Sequence, residues 1–496
     1  MKIITFKISL ICIIITFFSS IEANVQDYAM YLKKQVFEKK LDNGITVLLL
    51  NRGYSPTLAF NISFRVGSVD ETYRTAGAAH MLEHMLFKGT AKLGTKNYKK
   101  EENILKQIAA VGETIDQLEL KNPKNILLPK LRKELKDLQK KQASLVISSP
   151  YDRIYTANGS RGFNASTSRD RTGYYIQLPS SKLQLWAKIE SDRLKQPVMR
   201  EYYLERNNVI QEQLMRYESR GSGMLFTQFI AHAFMAHPYR HPTIGWRSNI
   251  PYLSLSDIKH FFQKYYIPSR TTITIVGKQD VNKTFAVIKK YFSSLPSQPE
   301  PPEINIREPK QKGERRFIVR FKSKPQMIIG WHKPTFPSIH DYSFDVISDL
   351  LTSGKSSRLY KKLVLEKKLV SSVSSWNGAP GARYDNLFVI FVSPLKRNYY
   401  ATIEKIIYEE IKKISHTVTG RELQKVRNSM ESHLIFRLAS NSGMASLLSY
   451  YQTVFKDWKY AARYLQKLKE IKQIHLSQAI KGYIKPQNRI VGILKE

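Results

Sequence analysis

Cysteine is almost missing from this chain of 496 residues: Cys12 is the only one. It sits inside the apolar run Ile8 to Phe18, behind Lys2 and Lys7 and ahead of Ser19-Ser20-Ile21-Glu22-Ala23. A short basic start, a brief apolar stretch and a small residue at a cut site read as an export signal over residues 1–23, with an uncleaved anchor as the alternative. Cleavage after Ala23 leaves a mature chain with no thiol. That excludes a disulfide framework and cysteine chemistry even in an oxidising compartment, so stability has to come from packing. No later apolar run is long enough to cross a membrane. The expected destination is therefore export, to a bacterial periplasm or the medium, with no transmembrane span after signal removal.

Acidic side chains are also scarce. There are 41 against 79 basic ones, for a net charge of +38. Such an excess fits an anionic partner, or a lysine-rich bias spread over solvated helix faces. The basic residues here are dispersed. Neither zinc-finger spacing nor an RNA-binding aromatic motif accompanies them, so no nucleic-acid partner is expected. What the chain does have is 42% hydrophobic and 24% charged residues, an ordinary globular composition with ample material for a large core.

Strand and helix periodicities alternate along the chain. Val36 to Leu50 reads as two strands around the Asp42-Asn43-Gly44 turn, and Leu58 to Val66 as a third. A helix from about 77 to 88 ends at Gly89. Residues 98–149 change character: rich in Lys, Glu, Leu and Gln and broken at Asn122-Pro123, they read as a helical hairpin on the surface. Strand-like 162–178, a long helix near 196–216 and a strand at Thr272–Val276 follow. The prolines between 295 and 315 mark an extended linker. One sequence of signals then occurs twice. Leu255-Ser256-Asp257-Ile258 leads through Tyr266-Ile267-Pro268 into a strand, as Leu476-Ser477-Gln478-Ala479-Ile480 leads through Tyr483-Ile484-Lys485-Pro486 into another. The expectation is a duplicated α+β fold: 30–294 as first domain with 98–149 inserted, 295–315 as linker and 316–496 as second domain.

Chemistry concentrates at His80-Met81-Leu82-Glu83-His84. Histidines four apart share a helix face and can fill two positions of a tetrahedral zinc. Glu83 lies between them in sequence and can reach a water at that metal as general base. The order His-x-x-Glu-His is the inverted zincin arrangement. Ala78, Ala79, Met81, Leu82, Met85, Leu86 and Phe87 make the helix apolar nearly all round, and ionisable groups on a buried helix call for a reason such as a metal. Zinc needs a third protein ligand. Glu205 and Glu212, two helical turns apart, can face one way, though such a pair is also what a solvated stripe provides. His237 and His241 share the four-residue spacing, but Pro238 between them argues for a loop.

The stretch His80 to Thr90, then Gly162-Phe163-Asn164-Ala165-Ser166-Thr167-Ser168, then Glu205 to Glu212, resembles the pitrilysin-like (insulinase, M16) zinc metallopeptidases of the bacterial two-domain type. The resemblance implies two homologous α/β-sandwich halves facing across a cavity. It implies one Zn2+ per chain on His80, His84 and Glu212, with Glu83 as base and Glu205 behind a histidine ligand. Substrate peptide would lie along the strand of Asn164 and Ala165. The implied activity is a zinc endopeptidase acting on unfolded or short peptides; the alternative is a noncatalytic or partner-dependent subunit of an M16-type heterodimer. Three departures stand out. The His84–Glu212 segment is longer than usual by roughly 50 residues, a hairpin's worth. The second half lacks His-x-x-Glu-His. And the family's C-terminal Arg and Tyr, seven apart, align with Val364 and Ser371.

Overall fold

A computed structural model describes residues 32–496; the expected export signal over 1–23 lies outside the described residues. Eleven strands form two sheets. The first holds β1 (Val36–Lys40), β2 (Thr46–Asn51), β3 (Thr57–Phe64), β4 (Arg161–Thr167), β5 (Thr172–Pro179) and β6 (Thr271–Gly277), in the order β1-β2-β6-β3-β5-β4. The second holds β7 (Arg315–Arg320), β8 (Gln326–Lys333), β9 (Val370–Ala379), β10 (Asn386–Pro394) and β11 (Arg489–Lys495), in the order β7-β11-β8-β10-β9.

Without β1 the two sheets are the same object. β2 runs parallel to β6 as β7 does to β11, and every other neighbour is antiparallel. The repeated Tyr-Ile-Pro signal, with Lys485 added before the second proline, has a structural meaning: Pro268–Arg270 and Pro486–Asn488 are 3-10 turns that feed the last strand of each sheet. β6 is buried along its whole length, as its β-branched, apolar sequence requires for a strand covered on both faces.

One cover of each sheet is exchanged between the halves. Helix Gly221–Ala233 belongs to the first half, yet packs on β7, β8 and β11. Helix Asn441–Phe455 belongs to the second and packs on β3 and β6. Leu225 and Phe229 therefore share a core with Ile328, Val389 and Leu494, while Met444 and Leu448 share one with Leu48 and Val276. Buried ion pairs reinforce the junction: Asp70 accepts from Arg270 of its own half at 3.1 Å and from Arg383 of the other at 3.1 Å. Residues 295–314 cross between the sheets without regular structure, as their prolines predict. They are pinned by Glu303 on Arg383 and by Glu308, which accepts the amides of Met235, Ala236 and His237.

Two readings need adjustment. The long helix near 196–216 starts at Tyr202, because Pro197 cannot supply an amide and Glu201 sits at φ 57. It ends in a π-helical turn, Leu214–Glu218. The 98–149 hairpin is present as Tyr98–Lys121 and Leu128–Ala143, but it is docked along its first helix. Arg200 grips Glu101 at 2.7 Å with both side chains fully buried, and Arg206 holds Asp116 at 2.9 Å. Gly112 faces Tyr203 so closely that a Cβ there would stand 2.0 Å from the ring.

Candidate metal centre

Helix Ala78–Met85 begins at Gly77, in the left-handed region at φ 100 with a carbonyl of Ile244 where a Cβ would go. The buried Glu71 carboxylate accepts the amides of Gly77 and Ala79 at 2.8 Å, which fixes the helix start. Ala78, Ala79, Met81, Leu82 and Met85 are buried, so the helix is clamped on its apolar side. It lies against β4 and against helix Tyr202–Gln213.

That packing brings His80, His84 and Glu212 together. One ligand atom from each lies within 4.8 Å of the others, and this is the only such group of three among the described residues. His84 Nε2 is 3.4 Å from Glu212 Oε2, and His80 Nε2 is 3.9 Å from Glu212 Oε1. Zinc bonds of about 2.1 Å in a tetrahedron separate ligand atoms by roughly 3.4 Å. Two imidazoles and a carboxylate at these spacings fit zinc.

The surroundings prepare the ligands. His84 Nδ1 donates to Glu205 Oε1 at 2.8 Å, which turns Nε2 towards Glu212. Burial pulls the His84 pKa down, but its bonds to Glu205 and Glu212 outweigh this and push it up to about 9. Burial, with His84 alongside, takes His80 down to about 4. Glu205 is raised by burial, yet donors from His84 and Lys88 prevail and hold it at about 2. The hydrogen bond from His84 keeps Glu212 low against the opposing effect of burial. Glu83 goes the other way: burial raises its carboxyl, and a 2.5 Å hydrogen bond from Thr167 only partly opposes this. A raised carboxyl suits a group that must take and return a proton.

β4 is the free edge of the first sheet. Asn164 is exposed there, and Ala165 is buried. Asn164 Oδ1 accepts the amide of Ala165 at 2.8 Å, so a side chain covers an edge amide that an added strand could use. Asn164 also lines a cavity of about 530 Å3 together with Glu83 and His84. The structure thus gathers all seven residues singled out in the sequence into one region. His237 and His241 lie elsewhere, flanking the 3-10 turn Pro238–Arg240.

Three further residues touch the centre. Thr167 holds Glu83, Lys88 reaches Glu205 at 2.7 Å and Arg216 reaches Glu212 at 2.9 Å. Lys88 is one turn past His84 and Arg216 one turn past Glu212, so helical spacing from the ligands was a usable signal. Nothing local marked Thr167 beyond its place in β4.

The insulinase (peptidase family M16) model matches residues 46–117 and 149–246, and the M16 inactive-domain model matches 252–430. The zinc protease PqqE of Helicobacter pylori is 27% identical over 92% of this chain and 91% of its own. A probable mitochondrial-processing peptidase subunit beta of Arabidopsis thaliana is 21% identical over 82% of this chain and 68% of its own. A crystal structure of a protease from Helicobacter pylori superposes with a TM-score of 0.78 at 25% identity, covering 93% of this chain and 99% of that one. With both halves matched by models of one family and the fold shared over nearly its full length, this chain belongs to peptidase family M16, the insulinase family.

Proposed function

We propose that the chain is a zinc endopeptidase that hydrolyses unfolded or short peptides, with 30–294 as its catalytic unit, 295–315 as linker and 316–496 as noncatalytic unit. The observation that carries this reading is the convergence of His80, His84 and Glu212 within 4.8 Å, on two helices that pack beside an open sheet edge. His80, His84 and Glu212 would hold a zinc ion, which would supply Lewis acidity towards a peptide carbonyl and a water. Glu83 takes the proton from the attacking water and passes it to the leaving amine. Thr167 aims the Glu83 carboxylate by donating to one of its oxygens. Glu205 holds the His84 ring, and Lys88 in turn holds Glu205. A peptide pairs with β4 as an added strand once the Asn164 side chain swings off the Ala165 amide. Folded proteins offer no free strand, which sets the preference for unfolded or short chains. Family membership and relatives named zinc proteases support the same activity.

The residues aligned with the family's Arg and Tyr favour a second, compatible reading: a catalytic subunit that works with a homologous partner. Val364 lies in a π-helical turn and brings no charge. Ser371 lies on the edge strand β9 and donates to the Ser393 carbonyl of its own sheet. A partner would then provide the guanidinium and phenol that these positions lack. Export to the periplasm or medium completes the proposal. No described helix is long and apolar enough to cross a membrane.

The deciding experiment is hydrolysis of a mixed peptide library by the purified zinc-loaded chain, with and without an M16 homologue that carries the Arg/Tyr pair. Cleavage abolished by Glu83→Gln is expected. Cleavage that survives that substitution removes the assignment of the base. Full activity of the isolated chain, unchanged by the homologue, removes the partner.

A further inference from the structure

The cavity of about 530 Å3 that opens on Glu83 and His84 has a wall from an unexpected source, the return limb of the insertion: Val146, Ile147, Ser148 and Ser149. The sequence places the insertion on the surface as a hairpin; the fold builds its return limb into the wall of this cavity. The limb is not loosely placed. The Ile147 amide donates to the Gly94 carbonyl at 3.0 Å, Lys96 donates to Leu145 at 2.8 Å, and Thr95 bridges Val146. The outgoing limb is anchored by the fully buried Glu101–Arg200 pair.

The lining has two kinds of surface. Phe87 and Phe163 meet edge to face at 5.3 Å and, with Pro150, give an apolar channel that starts beside the metal ligands. Beyond it the charged groups are unusual for this chain. Glu83, Glu205, Glu201 and Asp152 line the cavity, against Lys88 and the His84 imidazole. Lys88 is already spent on Glu205 at 2.7 Å and Glu201 at 3.2 Å. Over the whole sequence basic residues outnumber acidic ones 79 to 41, so the cavity inverts the balance of the molecule. An aliphatic stem laid along this pair of rings, with a cationic head towards carboxylates, is what a lysine or arginine side chain presents. A glutamate in the same place would meet like charge in a confined space.

We infer that the insertion makes this cavity a specificity pocket for a lysine or arginine side chain beside the scissile bond, with Asp152 and Glu201 facing its head and Val146–Ser149 closing its far side. The inference rests on the peptidase reading above, but it can fail separately. In the family resemblance the extra segment is only a longer connection; here it acquires a role in choosing the peptide.

The test uses zinc-loaded Glu83→Gln protein, which is expected to bind peptide without consuming it. Fluorescent Gly/Ser-rich peptides with one central Arg, Leu or Glu are titrated by anisotropy. The Arg peptide is expected to bind about tenfold tighter than the Leu peptide, with the Glu peptide weakest, a difference of about 1.4 kcal/mol for the first pair. The overall charge of +38 pulls the other way, towards the Glu peptide, so non-specific attraction cannot imitate this order. In Asp152→Asn/Glu201→Gln the Arg preference should vanish, and Ile147→Trp should weaken all peptides by filling the pocket. Equal binding of Arg and Leu peptides, tighter binding of the Glu peptide, or a preference unchanged by the double substitution overturns the proposal. Zinc content is measured in every sample. A missing metal counts against the peptidase reading, whereas a full metal centre without the Arg preference counts against the pocket.

Discussion

The two halves share a sheet, a strand order and a chain path, but they treat buried polar groups in opposite ways. In the first half, the helix after β3 carries His80, Glu83 and His84, and the two histidines converge with Glu212. In the second half, the helix after β8, Ile339–Thr352, carries Asp341 and Asp345 on the matching side of the sheet. There the carboxylates are consumed internally. Lys333, with its side chain fully buried, pairs with Asp341; Asn377 on β9 donates to Asp345 at 2.9 Å, and Tyr464 donates to it at 2.7 Å. Burial pushes Asp345 up to about 6, with the Asp341 charge adding to the rise. One frame therefore yields a candidate metal centre where ligand atoms converge and a structural network where partners close on the carboxylates. The difference lies in a few side chains rather than in topology.

The largest expected effect separates chemistry from binding within the first half. Glu83→Gln should keep zinc and fold but lose about 10²–10⁴-fold in turnover, measured as kcat on a cleaved peptide. Lys333→Met attacks the other side of the comparison. It leaves the partly buried Asp341 carboxylate without its cation, so stability should fall by about 3 kcal/mol in denaturant melts while zinc content stays unchanged. A matching loss of zinc would mean the halves are not independent in this respect. Glu205→Gln tests whether the first half needs its own supporting partner: zinc affinity should weaken by about 10–100-fold in chelator competition, with ligation retained.

The smallest effect concerns the seam between the halves. His237 packs against Tyr384 of the second half, and burial takes its pKa down to about 4. In the unfolded chain it titrates near 6.5, roughly the free value. The unfolded state thus gains a proton first as pH falls. Its contribution to stability is complete above about 6.5 and is lost progressively towards 4. His237→Gln should reduce the fall in Tm between pH 7 and 5 by about 2 °C. An identical fall in both proteins would place the acid sensitivity elsewhere.

Much of this was legible where the signal is local. His80 and His84 are four apart on one helix, and the duplicated turns at Tyr266-Ile267-Pro268 and Tyr483-Ile484-Lys485-Pro486 announced two equivalent halves. Glu212 is a different case. Nothing in the residues between joins it to His84, so without the family resemblance it is one carboxylate on a polar helix. Arg216 could be placed by its four-residue spacing from Glu212, whereas Thr167 and the bond of Lys88 to Glu205 acquire their roles only when the two helices and β4 meet. The exchange of Gly221–Ala233 and Asn441–Phe455 between sheets was invisible for a related reason: an apolar helix face shows that something covers it, but not which half supplies the cover. The insertion read correctly as a hairpin, while the destination of its return limb depended on pairing with Gly94, Thr95 and Lys96, about fifty residues earlier.

The most direct test of the account is zinc per chain, measured by elemental analysis after gel filtration, for the wild type and for Glu212→Ala and Glu83→Gln. About one zinc is expected in the wild type and in Glu83→Gln, and almost none in folded Glu212→Ala. A full equivalent of zinc retained by Glu212→Ala, or none bound by the wild type, would contradict a metal centre built from His80, His84 and Glu212.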